Sequence, residues 1–464
     1  MSSSSIIGLS GSGYETGVSV FNYEIIGILI LVIFAIYFVP LYLDTKVYTM
    51  PELLERRYDH RSRYYFSGLN IAINIGIDTA GALYAGGVLI QLIYPEVELS
   101  TSIIILALIT GLYTMAGGLK AVVMTDVIQG ILLSLGSLIV TVIVFNEIGS
   151  WSAIREAADP EMFSLIQPHD DPVIPWPTLI LSLPLLSFYF WCNNQHIVQR
   201  VLGARNIDHG RKGAILAGFL KLMVLFIMIY PGIMALSIYP DLDNPNMVLP
   251  KLMIDFLPAG ILGLVLVGFI AALMSSIDSA LNSASTLATM DFYKKFRPKS
   301  DQGETVWMGR VFTLIFVLVA SLWAPYIDQF PTLWEYLQAA LSYLTPPVVA
   351  CFLTGILWRK ASAYASFAAL ITGSLATVAF VILNITGIVT GVHYLYVAFL
   401  LFAISFIVLI VLSLVYPDSS PKDEIPNLFY SSAKNAFTQI SWKSYHTAAV
   451  LLLVTTAIIM GLYW

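Results

Sequence analysis

The chain has 464 residues, 58% of them hydrophobic and only 11% charged, with a formal net charge of −6 spread over loops. That profile excludes an ordinary soluble domain and offers nothing toward nucleic-acid binding. The two cysteines, Cys192 and Cys351, both fall in apolar runs, so no disulfide framework is implied.

Apolar runs long enough to cross a hydrocarbon core of about 30 Å recur along the chain. Twelve complete spans are predicted, near 17–43, 68–95, 100–119, 123–146, 176–198, 213–238, 258–288, 306–327, 333–358, 362–384, 393–416 and 446–464. All are expected to be helical, because a backbone facing lipid must satisfy its own hydrogen bonds and the runs are too long for barrel strands. The distribution of basic residues tests the count. Alternate loops, beginning with 44–67, hold 20 of the 23 Lys and Arg, the opposite loops hold only Arg155 and Lys251, and Lys221 alone lies in a span. A miscounted span would scramble this split. The basic loops are therefore read as cytoplasmic, with Trp464 outside.

In chain order, MSSSS lacks the basic opening of a signal peptide. Residues 1–16 are too short to cross a bilayer, and Gly8, Gly11, Gly13 and Gly17 are expected to break any helix there. They read either as a mobile tail or as half a helix leading into the first span. Glu24 then lies about 10 Å into its span. Asp78, in INIGIDTAGALYAGG, is also intramembrane and has no assigned role, while Asp126 opens the span at 123–146. The run at 176–198, PWPTLILSLPLLSFYFWCNNQHI, is interrupted by Pro184 and by a polar cluster from Cys192 to Gln195. Two interrupted segments, one opening each half of the chain, point to a transporter binding site.

Lys221 sits in GAILAGFLKLMVLFIMIY. A charge there costs roughly 2.5–3.5 kcal/mol on insertion scales, so it needs a partner or a function. Glu24, Lys221 and Gln338 read either as residues that hold the bundle together or as the lining of a polar cavity. Ala272, Ser275, Ser276 and Ser279 share one helical face, a pattern that is more often close helix packing than hard oxygen ligands for a small cation. Phe190 and Trp191 beside the break either stack on a sugar ring or are core aromatics. The chain contains no HExxH, GxSxG or Walker motif and its six His do not cluster, so an enzyme or an ATP-driven pump is not expected. Secondary transport is.

Several segments carry a resemblance along essentially the whole chain: GLSGSGYETG, YTMPELLERRY, AGGLKAVVMTDVIQ, FWCNNQHIVQRVLGA, MSSIDSALNSASTLATMDFYKKF and YLTPPVVACFLTGILWRK. The sequence resembles the sodium/solute symporter family, and within it the sodium/glucose cotransporters, bacterial sodium/galactose symporters included. The resemblance implies an all-α, leucine-transporter-type fold of two inverted five-helix repeats. The first repeat would be 1–146, the second 176–358, and 362–464 would form peripheral helices. Glu24, Lys221 and Gln338 match polar sugar ligands, Trp191 matches a pocket tryptophan, and Phe190 matches the inner-gate tyrosine that stacks on the sugar. Ala272, Ser275 and Ser276 match sodium ligands, and Asp126 an aspartate near the sodium exit path. Three positions depart from the pattern. Phe190 lacks the gate hydroxyl, Ser187 stands where the galactose symporter has Asn, and Ser5 stands where Gln or His reaches the sugar.

Family members also begin with an extra helix and the inner half of the broken one. The resemblance therefore implies either that this chain is an incomplete reading of a longer protein, which is the expectation taken, or that its sodium site is half built. A version extended upstream by about fifty residues would then transport where the chain as given does not. The expectation is a sodium-coupled symporter of a monosaccharide such as glucose or galactose. Na⁺ is its coupling ion, with no organic cofactor, and its partners are a small sugar or polyol and the bilayer, with no obligate protein partner. The rivals are a symporter of inositol or a carboxylate, and a non-transporting sensor or channel on the same scaffold.

Overall fold

The computed structural model describes residues 3–47, 49–116, 119–418 and 444–464, the side chains of 3, 116, 119–127, 129 and 444 excepted. Among the described residues every long element is helical, and the only β pairing is an isolated bridge between Gln167 and Pro175. Among the described residues nine helices are long and apolar enough to cross a membrane, or ten if the bent pair Leu333–Leu344 and Pro346–Leu357 is one span. The remaining two of the twelve expected runs are shorter apolar helices, Leu99–Met115 and Thr178–Asn193.

The N-terminal segment is neither a tail nor broken by its first three glycines. It forms helix α1, Ser3–Thr16. Almost every residue of α1 is buried, and it packs against Tyr230–Ala235, Leu333–Leu344 and the short turn Pro245–Met247. The glycines are where neighbouring backbones touch it. A Cβ at Gly13 would lie 2.6 Å from the Ile229 carbonyl oxygen, so the absence of a side chain permits packing rather than ending the helix. Only Gly17 ends it, with φ +69° in the left-handed region that L side chains avoid. A 3₁₀ turn over Gly17–Phe21 follows, then helix α2, Asn22–Ile33.

The next span is built from α3, His60–Ile73, and α4, Ala80–Ile93, joined by a π-turn over Asn74–Thr79. The second interrupted run contains α5, Leu183–Phe188, a π-turn over Tyr189–Asn193, and α6, Gln195–Leu202. The run is interrupted twice. A short helix, Thr178–Leu181, ends at Ser182 (φ −115°), and Pro184 opens α5 from its first turn. The chain leaves helical geometry again at Asn194, with ψ 118°, and the Asn194 side chain caps α6 by accepting from the His196 N–H at 2.9 Å. Beyond it lie α7, Ile207–Val224, α8, Ala259–Leu287, α9, Leu333–Leu344, and α10, Pro346–Leu357.

Among the described residues five spans contain a π-turn, a local widening that leaves a carbonyl without its helical donor. In three of them a neighbouring side chain supplies that donor. Arg211 donates to the Ala35 and Ile36 carbonyls at 3.1 and 3.3 Å. Tyr336 donates to the Gly76 carbonyl, and Tyr42 to Cys192 at 2.9 Å. Each of these turns thus becomes a fixed contact between spans. Exposed apolar residues such as Leu112, Leu322 and Leu375 cover the outside, as lipid requires.

Hydrogen bonds close both ends of the bundle. On the side with few basic residues, Tyr14 donates to the Tyr239 carbonyl at 2.7 Å, Ser12 and Thr332 hydroxyls meet at 3.0 Å, and Tyr84 donates to Asp328 at 2.8 Å. On the basic side, Arg57 donates to the Gly355 carbonyl at 2.7 Å. Arg63 there joins buried Asp291 to Glu55.

Candidate solute and cation site

Glu24 occupies the first turn of α2 and is 4% exposed. The partial positive charge at a helix N-terminus favours its carboxylate there. Lys221, from the last turn of α7, donates a short hydrogen bond to Glu24 Oε2. The two intramembrane charges therefore neutralise each other. The Lys221 ammonium also stands 4.8 Å from the centroid of the Trp191 ring, within cation–π range. Trp191 in turn meets Phe190 edge-to-face, with centroids 5.0 Å apart. Four sequence-predicted residues from three spans thus form one contiguous cluster.

Gly27, one turn beyond Glu24, lets the cluster close and was not singled out from the sequence. A Cβ at Gly27 would lie 3.1 Å from Lys221 Cε and 3.2 Å from Trp191 Nε1. Its only sequence signal is its spacing of three residues from Glu24, which means nothing until Lys221 and Trp191 are known to cross that turn.

The other expected solute ligands lie on helices packed with one another near this pair of spans, without a bond to the cluster among the described residues. Ser187, on α5, and Gln338, on α9, are both buried, and among the described residues no hydrogen bond ties either one to the Glu24–Lys221 pair. Ser5 is half-buried on α1. These helices converge, since α5 packs on α2 and on α9, and α9 packs on α1. Chemically, the cluster presents an ammonium, a carboxylate and an aromatic face, which suits a molecule whose hydroxyls both donate and accept over an apolar ring. A separate small cavity, lined by Leu53, Arg57, Tyr58, Cys351 and Phe352, is mostly apolar.

The serine face of α8 is divided among several partners. Ser276 donates to the Ala272 carbonyl at 2.9 Å, which leaves lone pairs on both oxygens, and Ala272 and Ser275 are buried. Ser279 is occupied differently, since it accepts from the Arg200 guanidinium at 3.1 Å. Ser283 accepts from Asn74 at 3.1 Å, and Asp278 accepts from Tyr113 at 3.1 Å. A cation on this face therefore has Ala272, Ser275 and Ser276 to draw on, with the guanidinium one turn away. Asp126 lies in the helix Leu119–Ile148, and its side chain is outside what the structure describes. Asp78, unassigned from sequence, stands on the π-turn between α3 and α4 with His196 Nδ1 3.9 Å from its Oδ2.

A multi-pass helical bundle, with irregular turns packed around one buried ion pair and a serine face, defines a membrane transporter rather than an enzyme. Its backbone is similar to that of a solved Na⁺-coupled sialic acid symporter in a substrate-bound outward-open state. The TM-score is 0.77 at 20% identity, over 91% of this chain and 88% of that one, which places the fold among the leucine-transporter-type sodium symporters. The chain belongs to the sodium:solute symporter family, whose model matches residues 1–373. It is 34% identical to sodium/glucose cotransporter 1 of Oryctolagus cuniculus over 463 residues, covering 88% of this chain and 70% of that protein. It is 33% identical to sodium/myo-inositol cotransporter 2 of the same species, covering 93% and 71%. Sodium-coupled solute symport is thus its class of activity.

Proposed function

We propose that this protein carries a monosaccharide or a cyclic polyol inward with Na⁺ by alternating access. The Glu24–Lys221–Trp191 cluster is the observation that carries this reading. A lone ammonium would favour an anionic solute. An ammonium already paired with a carboxylate presents balanced charge and suits a neutral polyhydroxylated ring. That balance disfavours a carboxylate as solute. The similarity to both a glucose and a myo-inositol cotransporter supports the same class.

In this reading Ala272, Ser275 and Ser276 supply oxygen ligands to Na⁺, whose binding favours the outward-facing arrangement, and Asp126 marks the ion's exit. Gln338, Ser187 and Ser5 reach the solute from the surrounding helices. Phe190 covers its inner face by stacking alone, having no hydroxyl. One Na⁺ moving down 100 mV releases about 2.3 kcal/mol. At a factor of ten per 1.4 kcal/mol, that sustains roughly a fifty-fold solute gradient. The two repeats, 1–146 and 176–358, would rock about the site. The protein would lie in the cell membrane with its basic loops inside and Trp464 outside.

The test is uptake of labelled D-glucose and labelled myo-inositol into proteoliposomes holding the full-length protein, with an inward Na⁺ or choline gradient. Sodium-dependent uptake of either solute supports the reading. Uptake that ignores sodium would turn it toward a channel, and failure with both solutes would turn it toward a different solute class.

A further inference from the structure

We propose that His196 and Asp78 form a proton-operated latch at the inner end of the second interrupted span. His196 lies on α6, just past the break at Asn194, whereas Asp78 lies on the π-turn joining α3 and α4. The pair therefore crosses from the second half of the chain to the first, a boundary along which such transporters open. His196 Nδ1 and Asp78 Oδ2 are 3.9 Å apart with both side chains largely buried, and Oδ2 accepts no hydrogen bond. At that separation a neutral imidazole gives the carboxylate almost nothing, since it is too long for a hydrogen bond. A charged imidazolium at the same distance forms an ion pair, and imidazole is the side chain that changes charge between about pH 5 and 8. Protonation therefore tightens this contact, and deprotonation releases it.

The neighbouring groups have bonds of their own. On α9, the Tyr336 hydroxyl near Asp78 donates to the Gly76 carbonyl. On α6 itself, Arg200 donates to Ser279 on α8 and to the His196 carbonyl at 3.1 Å. On α8, Asp278 accepts from Tyr113. Ahead of α6, the Tyr189 hydroxyl is directed to Asn70 at 3.4 Å. Arg211 on α7 faces the carbonyls of Ala35 and Ile36, and Asp44 in the neighbouring short helix Val39–Thr45 is exposed. Proton binding at this pair would slow the step in which α6 moves away and solute leaves. The inner placement follows the orientation proposed above, and the contact is independent of it.

The test reads the motion of α6 without needing a solute. A cysteine is placed at Gln199, three residues along α6, in a background carrying Cys192→Ala and Cys351→Ala. Its alkylation by a membrane-permeant maleimide is timed at pH 6 and pH 8, with and without His196→Gln. Both proteins share the intrinsic pH dependence of the thiol, so it cancels in their ratio. The latch requires His196→Gln to be alkylated about fivefold faster than its parent at pH 6 and equally fast at pH 8. Asp78→Asn should match it, while His196→Arg, which is permanently charged, should stay slow at both pH values. A ratio that is the same at pH 6 and pH 8 overturns the proposal. Because this readout is independent of uptake, it stands or falls apart from the solute assignment.

Discussion

At the residue scale, the Glu24–Lys221 pair makes two separable predictions. Removing one member of a buried ion pair leaves an uncompensated charge and costs about 3–5 kcal/mol. Lys221→Ala should therefore lower the unfolding midpoint as well as abolish uptake. The neutral double variant Glu24→Gln/Lys221→Met should recover much of the stability and none of the uptake, because packing is restored and the polar array is not. Wild-type-like uptake in either variant would remove the pair from the binding site. At Gly27 the added methyl of Ala meets the flexible end of Lys221 and the edge of Trp191, so these must shift by a few tenths of an ångström. Gly27→Ala should accordingly raise the KM for solute several-fold at nearly unchanged stability. For the cation, Ser276→Ala should raise the sodium concentration giving half-maximal uptake more than it alters solute affinity at saturating sodium. An unchanged sodium midpoint would mean that this face of α8 serves packing alone.

At the element scale, the irregular turns were the part least legible in the sequence. Pro184 marked a break that the structure places just ahead of it at Ser182, whereas the second departure, at Asn194, comes from a side chain capping the next helix. The glycines of α1 read as breakers because Gly lowers helix propensity, yet what decides their role is a partner backbone distant in sequence. Similarly, no local pattern marks a π-turn, because its cost is met by a donor from another span. Such donors can be removed one at a time. Tyr336→Phe and Tyr42→Phe each delete a hydroxyl that serves a π-turn carbonyl and should each cost about 1–3 kcal/mol. Thermal unfolding in detergent measures that loss, and unchanged midpoints would show that these carbonyls are satisfied without the tyrosines.

At the scale of the whole molecule, much was legible because lipid imposes simple rules. Apolar length gave the runs, and each run has a helix among the described residues. The intramembrane positions of Glu24 and Lys221 suggested a polar interior, and the fold brings the two together from helices far apart in sequence. What sequence left open was which polar residues would meet. Gln338, Ser187 and Ser5 make no hydrogen bond to the pair among the described residues, Ser279 is held by Arg200, and Asp78 lies 3.9 Å from His196, which no periodicity indicated.

The central claim is that a sodium gradient drives a neutral polyhydroxylated solute through the site at Glu24, Lys221 and Trp191. Its most direct test is labelled uptake by the full-length protein in proteoliposomes, comparing D-glucose and myo-inositol with a carboxylate solute, each with and without an inward sodium gradient. The account predicts sodium-dependent accumulation of at least one of the two neutral rings, none of the carboxylate, and loss of accumulation in Glu24→Gln/Lys221→Met. Sodium-driven accumulation of the carboxylate alone, or undiminished accumulation by the double variant, would contradict it.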